Sequence, residues 1–173
     1  MASDIGAAVA AQRGLVENLF DKLRQDGAGN PRANSVGVTR DPYGPGEQRG
    51  HATAIAAARA LGLEISHDAA MNHYFTWPGR DRAAPVLMTG SHLDSVPNGG
   101  NFDGAAGVVA GLAAVAALQA QRVRPARDVV VMAIRAEESA WFPVSYIGSR
   151  AALGTLPEGA LEARRKDTNR SLA

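Results

Sequence analysis

Apolar and polar positions follow two rhythms along this chain, one helical and one extended, and together they divide it into elements. Ile5, Val9, Leu15, Leu19, Phe20 and Leu23 recur at helical spacing, which predicts a helix over residues 3 to 25 stopped by Gly27 and Gly29. Gly29 to Gly50 is broken by Pro31, Pro42 and Pro45, so a long loop is expected there, with a short strand at Ser35 to Val38. A second helix is expected from about Glu47 to Ala60, ended by Gly62, and Leu63-Glu64-Ile65 begins a strand. His73 to Trp77 alternates as another strand, with Pro78-Gly79-Arg80 as the turn expected to close a hairpin.

The second half reads differently. Pro85 to Gly90 is a short continuous apolar run, as expected of a strand buried on both faces. A polar, Gly-rich loop from Ser91 to Asp103 leads into a helix from Gly104 to about Gln121. Val129 to Ile134 is a second fully buried strand, and its continuation, Arg135 to Glu138, carries acids. Shorter helices are expected at about Ser145 to Leu153 and near Pro157 to Arg165, followed by a polar stretch from Asp167 to Ala173. The strand–helix–strand unit predicts an α/β fold, a three-layer αβα arrangement around a mostly parallel or mixed central sheet, with functional loops at the carboxyl ends of the strands.

Composition narrows the chemistry. The chain has 173 residues, enough for one domain with a real core. With no Cys there are no disulfides and no thiolate ligands, so any metal must sit on His and carboxylates. A net charge of +1, with basic and acidic residues intermixed, argues against a nucleic-acid groove. No apolar stretch approaches the roughly 18 residues needed to cross a bilayer, and Met1-Ala2-Ser3-Asp4 shows no secretory signal. A cytoplasmic protein without membrane or nucleic-acid partners is expected.

Candidate chemistry gathers where strands give way to loops. His92 follows the first apolar strand, and Asp94, two residues on, can hold the imidazole from behind and fix its tautomer. Asp103 stands at the start of the Ala-rich helix, where an N-cap and a metal ligand compete for the same oxygens. Glu137-Glu138 end the second strand; one can bind metal while the other stays free as a proton acceptor, unless the pair is only a solvated strand end. His51, His67 and His73 lack ligand spacing to His92 and read as a helix-face, a strand-end and a hairpin residue. The loop at Asn98 to Gly104 matches neither phosphate-binding pattern.

Thr89-Gly90-Ser91-His92-Leu93-Asp94-Ser95-Val96-Pro97-Asn98-Gly99-Gly100-Asn101-Phe102-Asp103-Gly104, with Glu137-Glu138 and Gly148-Ser149-Arg150-Ala151, resembles one family. It is the zinc-dependent amidohydrolase branch, including the hydantoinase/carbamoylase enzymes, of the di-metal aminopeptidase-like hydrolases. Its members include N-carbamoyl-L-amino-acid hydrolases, allantoate amidohydrolases and beta-ureidopropionases. Gly37-Val38-Thr39-Arg40, Tyr43-Gly44 and Asp68-Ala69-Ala70-Met71-Asn72 extend the likeness from about residue 15 onward.

The resemblance implies two divalent ions, zinc first, with manganese, cobalt or nickel as alternatives. His92 would bind one, Asp103 would bridge them and Glu138 would bind the other. Glu137 would be the general base that deprotonates the water between the metals for attack on a carbamoyl or ureido carbonyl, and Asp94 would support from behind. Dipeptidase, aminopeptidase or deacylase activity is the alternative within the superfamily, and a non-catalytic half-domain the alternative outside it. The branch commonly has Arg where this chain has Trp141, and Gly where it has Met71. Family members are much longer, so residues 1–173 are expected to be the N-terminal part of a truncated catalytic domain. Two further His ligands, a substrate-carboxylate Arg and the dimerisation domain of a homodimer would lie beyond Ala173. On its own the chain is expected to be poorly active.

Overall fold

A computed structural model describes residues 4–27 and 37–173. In order they form α1 (Ile5–Ala10), α2 (Arg13–Gly27), α3 (Pro45–Ala60), β1 (Glu64–His67), β2 (His73–Trp77), β3 (Leu87–His92), α4 (Ala105–Ala120), β4 (Val129–Ile134) and α5 (Ile147–Ala152), with a 3-10 turn at Ala160–Glu162. The sheet order is β1-β2-β4-β3. β1 and β2 are antiparallel, as are β2 and β4, while β3 and β4 run parallel and are joined through α4. The sheet is therefore mixed. No helix among the described residues is long and apolar enough to cross a membrane.

The core lies on one face of the sheet. Phe75 of β2 and Val131 and Ala133 of β4 meet Val108, Leu112 and Val115 of α4, Ala54 and Ala58 of α3, and Leu19 and Leu23 of α2. Burying a side chain such as Phe75 or Leu112 stabilises the fold by roughly 1.5–3 kcal/mol. On the other face Tyr74, Met88, Met132 and Ile134 line a cavity of about 260 Å³ with Ser149 and Ala152 of α5 and Leu153 just after it. Helices thus flank the sheet on both sides, densely on one and sparsely on the other.

Several sequence expectations change. The single helix over residues 3 to 25 is two helices. Gln12 N–H bonds to the Val9 carbonyl instead of continuing the α ladder, and α1 packs on α4 while α2 packs chiefly on α3 and α4. α3 begins at Pro45, whose fixed φ suits a first helical position. Of the strand expected at Ser35 to Val38, Ser35 and Val36 lie outside the described residues, and Val38 makes a single antiparallel bridge to Gly99. The hairpin is closed by Asp68 to Asn72 instead of Pro78-Gly79-Arg80. Asp68 accepts from the Asn72 backbone (3.0 Å), the Asn72 amide (2.8 Å) and the Tyr74 hydroxyl (2.7 Å).

β3 is not buried on both faces. Among the described residues it is an edge strand with one neighbour, and Leu87 is 60% exposed. β4, between β2 and β3, is the strand that fits the description: Val131 and Ala133 are fully buried. The helix expected near Pro157 to Arg165 shrinks to one 3-10 turn. The carbonyls of Leu161 and Ala163 accept from Leu172 and Ala173 instead, because the polar tail folds back over them.

Candidate metal centre

Parallel pairing of β3 and β4 puts their carboxyl ends side by side, with His92 opposite Ile134. The Leu93 N–H extends the ladder by one bond to the Ile134 carbonyl, and beyond it the two chains part. His92, Asp103 and Glu138 meet in that opening: one ligand atom from each lies within 4.8 Å of the other two.

His92 Nδ1 is 3.2 Å from an Asp94 carboxylate oxygen and 3.2 Å from the Asp94 carbonyl. A proton on Nδ1 satisfies both, which leaves the Nε2 lone pair free. Nε2 lies 3.8 Å from Asp103 Oδ1 and 3.7 Å from Glu137 Oε2. Burial alone would lower the His92 pKa, but the hydrogen bond and charge of Asp94, with the charge of Glu137, raise it above the ordinary imidazole value. Glu138 is also raised, first by desolvation and then by repulsion from Asp103 and Glu137. Four carboxylates, Asp94, Asp103, Glu137 and Glu138, gather around one imidazole and repel one another in the way that a bound cation relieves.

The two readings of Asp103 are separable here. The N-cap of α4 is Gly104, with no side-chain cap, so the Asp103 carboxylate is not spent on capping and is 58% exposed. Gly104 has φ +64, and a Cβ there would sit 2.5 Å from the His92 ring, so only glycine lets the loop pass the imidazole.

The segment carrying Glu137 and Glu138 is held from both sides. Its four successive amides donate to side-chain oxygens: Arg135 to Asn72 Oδ1 (2.9 Å), Ala136 to Glu47 Oε1 (2.9 Å), Glu137 to Asp94 Oδ1 (3.0 Å) and Glu138 to Asp94 Oδ2 (3.0 Å). The carbonyls of Arg135, Ala136 and Glu137 accept from Gly148, Ile147 and Tyr146. Ala136 sits in the left-handed region at φ 51, a conformation that costs a non-glycine residue about 1–2 kcal/mol.

Sequence reading missed Glu47, Asn72 and Arg40 as parts of this site. The buried Arg40 guanidinium donates to the Leu93 carbonyl (2.6 Å), Asn101 Oδ1 (3.2 Å) and the Asp103 carbonyl (3.4 Å), tying the His92 strand end to the Asp103 loop. Burial, then the charge of Asp94, pushes Glu47 up to about 7, against the pull of Arg135 and two amides. Arg40 and Asn72 do lie in the segments Gly37 to Arg40 and Asp68 to Asn72 that carry the family likeness, whereas nothing local marks Glu47. Their partners around the site lie 53 to 89 positions away, beyond what local pattern can show.

The other three histidines stand apart from His92. His51 Nδ1 and His73 Nδ1 are 3.1 Å apart, and the His67 ring lies tilted beside His73 with ring centroids 6.0 Å apart. Two of the noted departures now have a physical setting. Trp141 Nε1 donates to the Ser95 carbonyl (2.9 Å), and the Arg165 guanidinium lies over its ring at 4.5 Å, so a cation stands beside position 141 although none is encoded there. Met71 has φ 62, the conformation for which Gly is favoured.

The sequence profile described as "Peptidase family M28" matches residues 72–163. An N-carbamoyl-L-amino acid amidohydrolase of Geobacillus stearothermophilus is 40% identical over 148 residues, covering 86% of this chain and 36% of that protein. An allantoate amidohydrolase of Escherichia coli is 36% identical over 118 residues, covering 68% and 29%. The crystal structure of a hydantoinase/carbamoylase family amidase from Burkholderia ambifaria superposes with a TM-score of 0.82 at 30% identity, over 92% of this chain and 38% of that one. The chain therefore spans well under half the length of the relatives it matches.

Proposed function

The chain belongs to peptidase family M28, on its hydantoinase/carbamoylase branch, and from that membership we propose that it forms the N-terminal part of the catalytic domain of a metal-dependent hydrolase. The bonds cleaved are linear ureido or carbamoyl C–N bonds in small amino-acid-like substrates. The observation that carries this reading is the convergence of His92, Asp103 and Glu138 within 4.8 Å.

The donors fit a divalent ion. One neutral imidazole nitrogen and two carboxylates suit zinc, with manganese, cobalt or nickel as further occupants. His92 and Glu138 would each hold one of two ions, with Asp103 shared between them. When bound, the ions would polarise the scissile carbonyl and make water acidic. Asp94 keeps the His92 Nε2 lone pair exposed to the site. Glu137, 3.7 Å from that nitrogen, takes the proton of the attacking water and returns it to the departing nitrogen as the C–N bond breaks.

Calorimetric titration of the chain with zinc or manganese tests the site. Saturable binding that His92→Ala abolishes is expected; no binding by the unaltered chain would remove the metal reading. In a version extended to the relatives' length, Glu137→Gln should retain metal and lose about 10²–10⁴-fold in kcat on an N-carbamoyl amino acid. If that variant stays fast, Glu137 is not the base. Among the described residues the group offers three donor side chains, where one tetrahedral zinc takes about four ligands. The isolated chain should therefore turn over N-carbamoyl amino acids poorly with either metal, and ready turnover would contradict this.

A further inference from the structure

Glu47 is remote in sequence from the acids at 137 and 138, lies in the first turn of α3, and is fully buried. Its Oε2 accepts from the Tyr43 N–H at 2.7 Å and from Arg135 Nη1 at 2.8 Å, and its Oε1 accepts from the Ala136 N–H at 2.9 Å. Both oxygens are therefore engaged, one by the start of α3 and one by the bend from which Glu137 and Glu138 project. Arg135 is itself held by Gln48 (2.7 Å) and the Met71 carbonyl (2.8 Å). Asp94 takes the next two amides while also contacting His92, so Glu47 and Asp94 together place the left-handed Ala136 between two buried carboxylates.

We propose that Glu47 is a positioning residue of the metal centre: by holding the Ala136 amide against α3, it sets where the Glu138 carboxylate stands relative to His92 and Asp103. The inference rests on the metal-site reading above. A glutamine at 47 keeps one acceptor and loses the other, so either the Ala136 amide or the Tyr43–Arg135 pair goes unanswered. The bend then relaxes, and the ligand atoms no longer close to the same separation. Glu47 does not touch the ion; its effect passes through backbone position.

The test is cobalt(II) titration of the 173-residue chain followed by its visible d–d absorption, which reports coordination geometry. Glu47→Gln is expected to weaken cobalt binding at least ten-fold and to shift or weaken the band. The double variant Glu47→Gln/Arg135→Met removes the buried cation that the single variant leaves unpaired, and so protects folding. It is expected to stay weak in cobalt binding and altered in spectrum. Binding within two-fold of the parent with an unchanged band in Glu47→Gln, or full recovery in the double variant, would overturn the proposal, since Glu47 would then serve only to neutralise Arg135. A parent chain that shows no cobalt band at all overturns the metal-site reading and this inference with it, an outcome distinct from the others.

Discussion

Glu137 and Glu138 reach the site on a segment whose amides and carbonyls are all but exhausted by partners, whereas Asp103 reaches it at the end of a loop whose anchors lie upstream, at Ser95 to Asn101. The first segment is fixed by Asn72, Glu47 and Asp94 on one side and by the start of α5 on the other. The second is held upstream, by Ser95 bonded to the Arg40 backbone, Asn98 to Thr39 and Gly37, Gly99 bridged to Val38 and Asn101 donating to the Phe20 carbonyl at 2.9 Å. The Asp103 carbonyl itself has the Arg40 guanidinium at 3.4 Å. Asp94 is fully buried; Asp103 is 58% exposed. Precision on one side comes from buried polar side chains on separate elements, and on the other from close backbone passage with glycine at 104. A cation entering the site would meet a fixed wall carrying Glu138 and a looser arm carrying Asp103.

The largest test of this contrast is Gly148→Ala. A Cβ there would meet the Arg135 carbonyl at 2.3 Å and Asn72 Oδ1 at 2.5 Å, so the fixed segment must move. A loss of about 3 kcal/mol in urea unfolding is expected; less than 1 would mean that the wall yields easily. Asp94→Asn comes next. It presents an amide donor to one of two amide donors in a fully buried place, and about 2 kcal/mol should be lost in the same measurement.

Acid sharpens the comparison from beneath the fixed side. His51 is pushed down to about 2 by burial, then by the charges of Arg135 and His73. Its folded value is below the unfolded 6.5, so the stability it contributes is present above that pH and is lost as pH falls through it, because the unfolded chain takes up the proton first. Between pH 6.5 and 5 the loss should be about 1–2 kcal/mol. His51→Leu should flatten that limb of the stability curve, and an unchanged slope would show that His51 is not responsible. The smallest effect belongs to the loop: Gly100→Ala has open space around the new methyl and should change stability by less than about 0.5 kcal/mol.

Much of the framework was legible because its signals are local. The run Val129 to Ile134 is β4, His73 to Trp77 is β2, and the Ala-rich stretch after Gly104 is α4. His92 and Glu138 are legible as reactive side chains just past apolar runs and Asp103 through the motif it shares with them, and the fold gathers the three. What escaped was long-range. Glu47 and Arg40 lie in a stretch that reads as loop or helix start, and only the folded chain shows that they serve backbone groups across the sheet. Asp103 reads as a cap because sequence cannot show which residue takes the Ncap position, and Gly104 takes it. The run before His92 looked like an interior strand because composition carries no information on how many neighbours a strand has.

The sparsely covered side of the sheet has a practical consequence. Met88 and Leu153 present greasy surface next to the hydrogen-bonding rim of β3 that no described residue shares, and Leu153 is 78% exposed. Such a rim invites another polypeptide to stack onto it. Handled at high concentration, this chain should show rising light scattering, and a lysine at Leu87 should delay the onset.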